Sequence, residues 1–320
     1  MRIAAVGAGR MGRGIALAFA YAGHDVALVD LKPRNDWDRL RSEAMEEMRA
    51  SLAMLAELDA MPADAVPRIM ARISAVPASA ATVLKESEII FEAVPETLEA
   101  KRDAFARICE LAAADAVLAS TTSTILVTDL VPMVTRPERL LNAHWLNPAY
   151  LIPLVELSTH AGTAAAVVTK MKRLLEDAGK VAVVCGPTPG YIVPRLQALI
   201  MNEAARMVEE GVASAEDIDK AVIYGFGFRF AVLGLLEFID WGGGDILHHA
   251  SRYLVEALGD SRYAAPDIIA TNMREGRIGM KTGQGFMNYE GVDQAAYREK
   301  RLAAFAAALR AMGLAREPVA

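Results

Sequence analysis

Six residues near the start of the chain constrain its fold more than any others: Gly7-Ala-Gly-Arg-Met-Gly12. This GxGxxG follows an apolar strand pattern at residues 2–6 and opens an amphipathic helical pattern at 11–22. In such a strand–loop–helix unit the first glycine permits the tight turn and the second admits a pyrophosphate to the backbone. The third lets the helix pack on the strand. The helix N-terminus adds N–H groups and the positive end of its dipole. A glycine turn that binds nothing is the plain alternative, but a second strand pattern ends at Asp30, at the spacing where a carboxylate accepts both ribose hydroxyls. An acid there repels a 2′-phosphate and favours NAD, although Lys32 and Arg34 leave some tolerance for NADP. Cofactor contacts are expected from Gly7, Gly9, Arg10, Met11, Gly12 and Asp30.

Further apolar runs at 88–94, 116–120, 140–145, 154–158 and 181–185 alternate with helical periodicities at 37–58, 97–113 and 163–178. With 2–6 and 26–30 they predict an α/β fold of Rossmann type, a mostly parallel sheet with helices on both faces. The character changes at Gly186-Pro-Thr-Pro-Gly190. Only helical patterns follow, at 194–210, 214–224, 233–258 and 295–312, with Pro194 in a first turn where its missing N–H costs little. The expected division is an NAD-binding domain over 1–186 and an all-helical C-terminal domain over 187–320, serving substrate binding and dimerisation.

The chain has 320 residues, 53% of them apolar, enough for a sizeable core and two domains. A net charge of −6 argues against nucleic acid or an anionic membrane as the main partner. Cys109 and Cys185 form no CxxC pair, and His24, His144, His160, His248 and His249 form no HExxH pattern, so no metal site is expected. The N-terminus enters a strand at once, and no apolar run approaches the ~20 residues of a membrane span. A soluble cytoplasmic protein is expected.

Asn142-Ala-His-Trp-Leu-Asn-Pro148 is followed by Leu154-Val-Glu-Leu157, which places His144 twelve residues before Glu156. His144 ends a strand, at the edge where ligands sit in open α/β sheets. Glu156 lies in the next apolar strand, where a carboxylate is costly unless partnered. A lone histidine there is ordinarily a satisfied core residue. The paired acid and the neighbouring Asn147-Pro148 point instead to a base oriented by a carboxylate, a device for taking a proton from a hydroxyl group. With a nicotinamide to accept the hydride, the chemistry suggested is oxidation of a secondary alcohol.

Taken in order, these motifs resemble those of the L-3-hydroxyacyl-CoA dehydrogenase family, which also contains gulonate and carnitine dehydrogenases and lambda-crystallin. The resemblance runs nearly end to end. It rests on the glycine loop, Glu92-Ala-Val-Pro-Glu96, Ser120-Thr-Thr-Ser-Thr124, His144 through Glu156, Pro189-Gly-Tyr-Ile-Val193 and Gly279-Met-Lys-Thr-Gly-Gln-Gly-Phe286. It implies that His144 is the catalytic base and Glu156 the acid that orients it, with Ser123 hydrogen-bonding the substrate oxygen. It also implies that Glu96, Lys101 and Asn147 contact the cofactor or shape its ribose pocket, Asn147 lying near the substrate as well, and that Lys281 reaches toward the cofactor. Without the resemblance, Ser123 equally fits a helix cap and Lys101 a solvated helix charge.

Three departures concern the substrate. Acyl-CoA members carry an asparagine where this chain has Pro194, which can donate no hydrogen bond. Arg229-Phe230-Ala231, within Gly225-Phe-Gly-Phe-Arg-Phe-Ala231, fits the gulonate, carnitine and crystallin branch. Its guanidinium could clamp a substrate carboxylate, or could pair with a nearby acid such as Glu237 or Asp240. Finally, no lysine occurs between Lys32 and Lys85, which leaves Arg39, Arg41 and Arg49 as the basic residues suited to CoA phosphates early in that stretch. The expectation is an NAD-dependent dehydrogenase of a small 3-hydroxy acid with a free carboxylate, bound partly by Arg229. The alternatives are an L-3-hydroxybutyryl-CoA dehydrogenase and, more remotely, a non-catalytic crystallin-like protein. A homodimer is expected from the apolar stretch 223–239 together with the resemblance.

Overall fold

The computed structural model describes residues 1–317. The chain divides into two compact units, Met1–Ile200 and Met201–Ala320. The first contains β1 (Arg2–Val6), α1 (Arg10–Tyr21), β2 (Asp25–Val29), α2 (Trp37–Glu57), α3 (Ala65–Met70) and β3 (Ile73–Val76). It continues with β4 (Ile89–Glu92), α4 (Leu98–Leu111), β5 (Val117–Ser120), α5 (Val127–Leu130) and β6 (Leu140–Trp145). β7 (Leu154–Ser158), α6 (Ala165–Asp177) and β8 (Val181–Cys185) complete the sheet, and α7 (Val193–Glu209) begins in the same unit.

The strands form one eight-stranded sheet in the order β3-β2-β1-β4-β5-β6-β7-β8. All neighbours are parallel except β6 and β7. The expected mostly parallel Rossmann-type sheet is what forms, because β1, β4 and β5 are buried on both faces over nearly all their length and read as near-continuous apolar runs. Alternation along β1 shows the two layers: Ile3 and Ala5 join one apolar cluster, Ala4 and Val6 the other. In the first cluster Phe19 stacks on Phe91 at 5.3 Å, and Trp145 meets both edge-on.

β3 was not anticipated. It lies at the sheet edge, and of its four residues only Ile73 is buried, so it has no apolar run to reveal it. The compositional break at Gly186 marks the end of the sheet, whereas the compact unit extends to Ile200. The physical tie is Glu156 of β7, which holds the backbone at the start of α7.

The second unit is helical: α8 (Ala215–Ala221), a π-helical turn (Val222–Gly227), α9 (Phe228–Phe230), α10 (Leu235–Gly242), α11 (Gly244–Leu258), α12 (Asp267–Arg274) and α13 (Gln294–Ala311). The continuous helix expected over 233–258 is in fact two, broken at Gly243, whose φ of +106° only glycine adopts readily. The apolar stretch 223–239 is likewise interrupted, first by the π-turn and then by the turn before α10. Buried Asp240 accepts hydrogen bonds from the N–H groups of Phe286 (2.9 Å) and Met287 (2.8 Å), clasping the Gly279–Phe286 motif to α10. A Cβ at Gly279 would lie 2.3 Å from the Asp240 carbonyl oxygen, which explains the glycine there. Among the described residues no single helix is long and apolar enough to cross a membrane.

Candidate active site

The glycine loop behaves as its spacing predicts. Gly7 has φ +112° and sits so close to Ala93 that a Cβ would come within 2.4 Å of its carbonyl oxygen. A Cβ at Gly12 would fall 1.9 Å from the Gly7 carbonyl oxygen, so this glycine permits the packing of α1 on the loop. At Gly9 nothing lies within 4 Å of that position, leaving the backbone open to a ligand just before α1 begins at Arg10. A cleft of about 1030 Å3 opens here, lined among others by Gly7, Gly9, Asp30, Trp37 and Val94. The residues present fit a dinucleotide. Arg10 and Asn147 instead line a smaller recess of about 310 Å3, together with Ser51 and Tyr150. Met11 and Gly12 belong to the first turn of α1.

Asp30 lies just past the end of β2 and lines the large cleft. Its carboxylate accepts from the Lys32 N–H and from Arg34 Nε, both at 3.0 Å. Arg34, which the sequence left as a possible 2′-phosphate partner, is thus engaged by the acid itself.

Glu96 gathers the loop after β5. It accepts hydrogen bonds from the Thr122 hydroxyl, the Ser123 N–H (2.9 Å), and the N–H and hydroxyl of Thr124 (each 3.0 Å). Burial alone would push its carboxyl up. The Thr122 hydrogen bond, the Lys101 ammonium and the Thr124 contacts outweigh burial and hold it at about 2. Lys101 is not the solvated helix charge its sequence allowed: it is fully buried, with Nζ 3.0 Å from Glu92 Oε1 and 3.3 Å from Glu96 Oε2. It therefore acts on this site through Glu96. Nor does Ser123 cap a helix, since Leu126 precedes the first turn of α5. Ser123 is exposed, and its hydroxyl has no hydrogen-bond partner among the described residues.

His144 and Glu156 are brought together by sheet register. β6 and β7 are antiparallel with these two residues directly opposite, so their side chains share one face. His144 Nδ1 lies 2.8 Å from Glu156 Oε2, and both residues are buried. The other carboxylate oxygen accepts from the N–H groups of Ile192 (2.9 Å) and Val193 (2.8 Å). These donors stand at the start of α7, where helix N–H groups have no intrahelical partner and the dipole favours an anion. A carboxylate so placed makes Nδ1 the donor of the neutral ring, which leaves the Nε2 lone pair for a substrate proton. Pro194 sits in this same first turn, as expected.

Several participants escaped sequence reasoning. Fully buried Glu92 accepts from Lys101, from the Val94 N–H (2.9 Å) and from the Ser120 hydroxyl (2.5 Å). A carboxylate inside an apolar strand was the signal that revealed Glu156, and Glu92 carries the same one. Tyr191 stacks on His144, which no local pattern announces. In the second unit, the Lys281 ammonium is held by Asp245 at 2.7 Å. Arg229 is exposed and unpaired with any acid among the described residues, its guanidinium lying over the Phe238 ring at 4.8 Å. The acids that might have claimed it are engaged elsewhere: Glu237 by Arg301 (2.6 Å) and Tyr297, Asp240 by the Phe286 and Met287 backbone.

The comparisons with known proteins agree with this geometry. Residues 2–188 match the profile of the 3-hydroxyacyl-CoA dehydrogenase NAD binding domain, and residues 190–289 that of the C-terminal domain of the same family. The chain is 33% identical over 290 residues to a 3-hydroxybutyryl-CoA dehydrogenase of Bradyrhizobium diazoefficiens, covering 91% of this chain and 96% of that one. It is 30% identical to the 5-formyl-3-hydroxy-2-methylpyridine 4-carboxylate 5-dehydrogenase of Mesorhizobium japonicum, with 90% of each chain covered. The crystal structure of a 3-hydroxyacyl-CoA dehydrogenase from Archaeoglobus fulgidus superposes with a TM-score of 0.77 at 31% identity, covering 98% of this chain and all of that one. The glycine cradle, the acid after β2 and the His144–Glu156 pair thus belong to a member of the 3-hydroxyacyl-CoA dehydrogenase family, an NAD-dependent oxidoreductase.

Proposed function

We propose that the protein oxidises the 3-hydroxyl of a small 3-hydroxy acid whose carboxylate is free, with His144 as base, Glu156 as its orienting acid and Ser123 as the donor to the substrate oxygen. NAD, when bound, supplies the acceptor for the hydride leaving C3. His144 Nε2 takes the hydroxyl proton as that C–H bond breaks, and the developing imidazolium is stabilised by Glu156. In the reverse direction His144 returns the proton, and the Ser123 hydroxyl stabilises the developing alkoxide.

The observation that carries the choice of substrate is the unpaired guanidinium of Arg229. An exposed arginine stacked on an aromatic ring and free of acids is suited to bidentate capture of a carboxylate. Weak provision for a CoA phosphate points the same way. Arg39 is already paired with Asp36 and Glu43, and Arg49 with Glu46, which leaves Arg41 as the basic residue of α2 without an ion-pair partner among the described residues. The Mesorhizobium relative, named for a pyridine carboxylate, shows a family member associated with a free acid.

The test is NADH formation with L-gulonate, carnitine and 3-hydroxybutyrate against L-3-hydroxybutyryl-CoA. A free acid should give the higher kcat/KM, and a clear win for the thioester sinks the proposal. With the preferred acid, Arg229→Met should lower kcat/KM by roughly 100-fold, mainly through KM, because a charge-assisted bidentate contact is lost. Turnover of the thioester should change by less than about three-fold.

The protein is further proposed to act as a cytoplasmic homodimer. NAD dependence and two free, half-buried thiols support the compartment. In the second unit Ile223, Tyr224, Leu236, Ile246 and Tyr253 are each at least 45% exposed, more apolar surface than a lone helical unit ordinarily leaves in water. Sedimentation at micromolar concentration should give twice the 34.4 kDa chain mass, and a monomer there contradicts the dimer.

A further inference from the structure

Tyr191 stands between the candidate base and the loop that carries Ser123. Its ring lies parallel to the His144 imidazole, with centroids 4.8 Å apart and planes within 14°. Its phenol oxygen accepts from Asn142 Nδ2 at 3.0 Å and donates its own proton to the Thr122 carbonyl oxygen at 2.8 Å. Asn142 is two residues before His144 on β6, so both project from the same face of the sheet. The same Asn142 amide donates to the Ile125 carbonyl oxygen at 3.0 Å. Asn142 and Tyr191 therefore grip the loop on either side of Ser123, at Thr122 and at Ile125, and fasten it to the strand that holds the base.

The directions of these bonds leave no choice. An amide NH2 only donates, so the phenol must accept from Asn142, and its single proton is committed to Thr122. Burial pushes the phenol well above its ordinary value, so it stays protonated and is no proton donor to substrate. The backbone supports the same assignment. Tyr191 has φ +45°, a left-handed conformation unusual for a bulky residue, directly after Gly190 at φ +79°. This turn delivers the Ile192 and Val193 N–H groups to Glu156 and at once lays the Tyr191 ring on His144. Conformations of this kind persist where surrounding contacts over-determine them.

We propose that Tyr191 is a positioning residue, whose ring fixes the plane of His144 while its hydroxyl fixes the Thr122–Ile125 loop, so that one side chain sets the spacing between the imidazole and the Ser123 hydroxyl. The assignment rests on His144 and Ser123 acting as base and donor.

The test compares Tyr191→Phe, Tyr191→Leu, Ser123→Ala and the double variant Tyr191→Phe/Ser123→Ala. Each is assayed with the better of L-3-hydroxybutyrate and L-3-hydroxybutyryl-CoA, alongside NADH affinity by nicotinamide fluorescence. Tyr191→Phe keeps the stacked ring and loses both phenol bonds; kcat should fall about 10-fold, with KM and NADH affinity within about two-fold, as for a misplaced rather than missing group. Tyr191→Leu should fall about 100-fold, so that phenylalanine regains the share owed to the ring. The isotope effect of a C3-deuterated substrate on kcat should rise in both, since hydride transfer becomes slower than product release. In the double variant the two losses should be less than multiplicative, because the phenol works through Ser123.

Wild-type kcat in Tyr191→Phe overturns the proposal, as do losses that simply multiply in the double variant. Parallel loss of NADH binding and activity also overturns it, marking a collapsed site rather than a mispositioned one. Full activity in Ser123→Ala and in His144→Ala would instead overturn the underlying roles, an outcome separable from any result at Tyr191.

Discussion

Replacing His144 with alanine lowers kcat by about 1000-fold and leaves NADH affinity within about two-fold, the range expected when a positioned general base is removed. The proton of the substrate hydroxyl then has no acceptor except water, which is far weaker and unpositioned. The cofactor should be indifferent, because its glycine cradle and Asp30 belong to β1, α1 and the end of β2, whereas His144 belongs to β6. The variant should still fold. Glu156 keeps the Ile192 and Val193 hydrogen bonds on one oxygen, so the carboxylate is not stranded. His144→Gln serves as the companion, filling most of the volume and offering an amide toward Glu156 but no base. Activity within ten-fold of wild type in both variants, measured by the absorbance of reduced nicotinamide, rules out His144 as the base.

The second large effect is on stability. Lys101→Met should destabilise the fold by about 3–5 kcal/mol, the cost of leaving a buried charge without its partner. Glu92 is fully buried, and Lys101 is the cation that faces it, with Nζ 3.0 and 3.1 Å from the two carboxylate oxygens. Ser120 and the Val94 N–H remain as donors but carry no charge to offset the carboxylate. Lys101→Met/Glu92→Leu removes both charges and should recover more than half of the loss, since an apolar pair of similar size tolerates that environment. The single variant should also raise KM for NAD, because Glu96 loses the ammonium that helps hold it and, through it, the loop after β5. Denaturant unfolding decides the matter. A Lys101→Met protein within about 1 kcal/mol of wild type means that the ion pair is not what stabilises Glu92.

The contrast between these two sites shows how much a one-dimensional reading reaches. β1, β6, β7 and β8 were legible to the residue, because each is a mainly apolar run bounded by turn or helix patterns. β3 was not, because its four residues, Ile-Ser-Ala-Val, make no apolar run long enough to stand out. The geometry of the glycine loop and the placement of Asp30 were legible because they are local, set by turns and by spacing along one strand–helix–strand unit.

What the amino-acid order determined by itself was therefore the fold class, the cofactor cradle and the types of side chain available for chemistry. The tertiary structure decided which of them meet. Antiparallel register sets His144 directly against Glu156, giving the pair that the sequence pattern suggested its 2.8 Å contact. Burial of Lys101 turned a seemingly solvated helix residue into the partner of Glu92 and Glu96. Competition for acids left Arg229 free, and a left-handed turn laid Tyr191 on the base. Each of these outcomes depends on contacts between segments far apart in the chain. Periodicity and propensity describe a residue's neighbours along the backbone, whereas the strength of a charge or hydrogen bond depends on its neighbours in space.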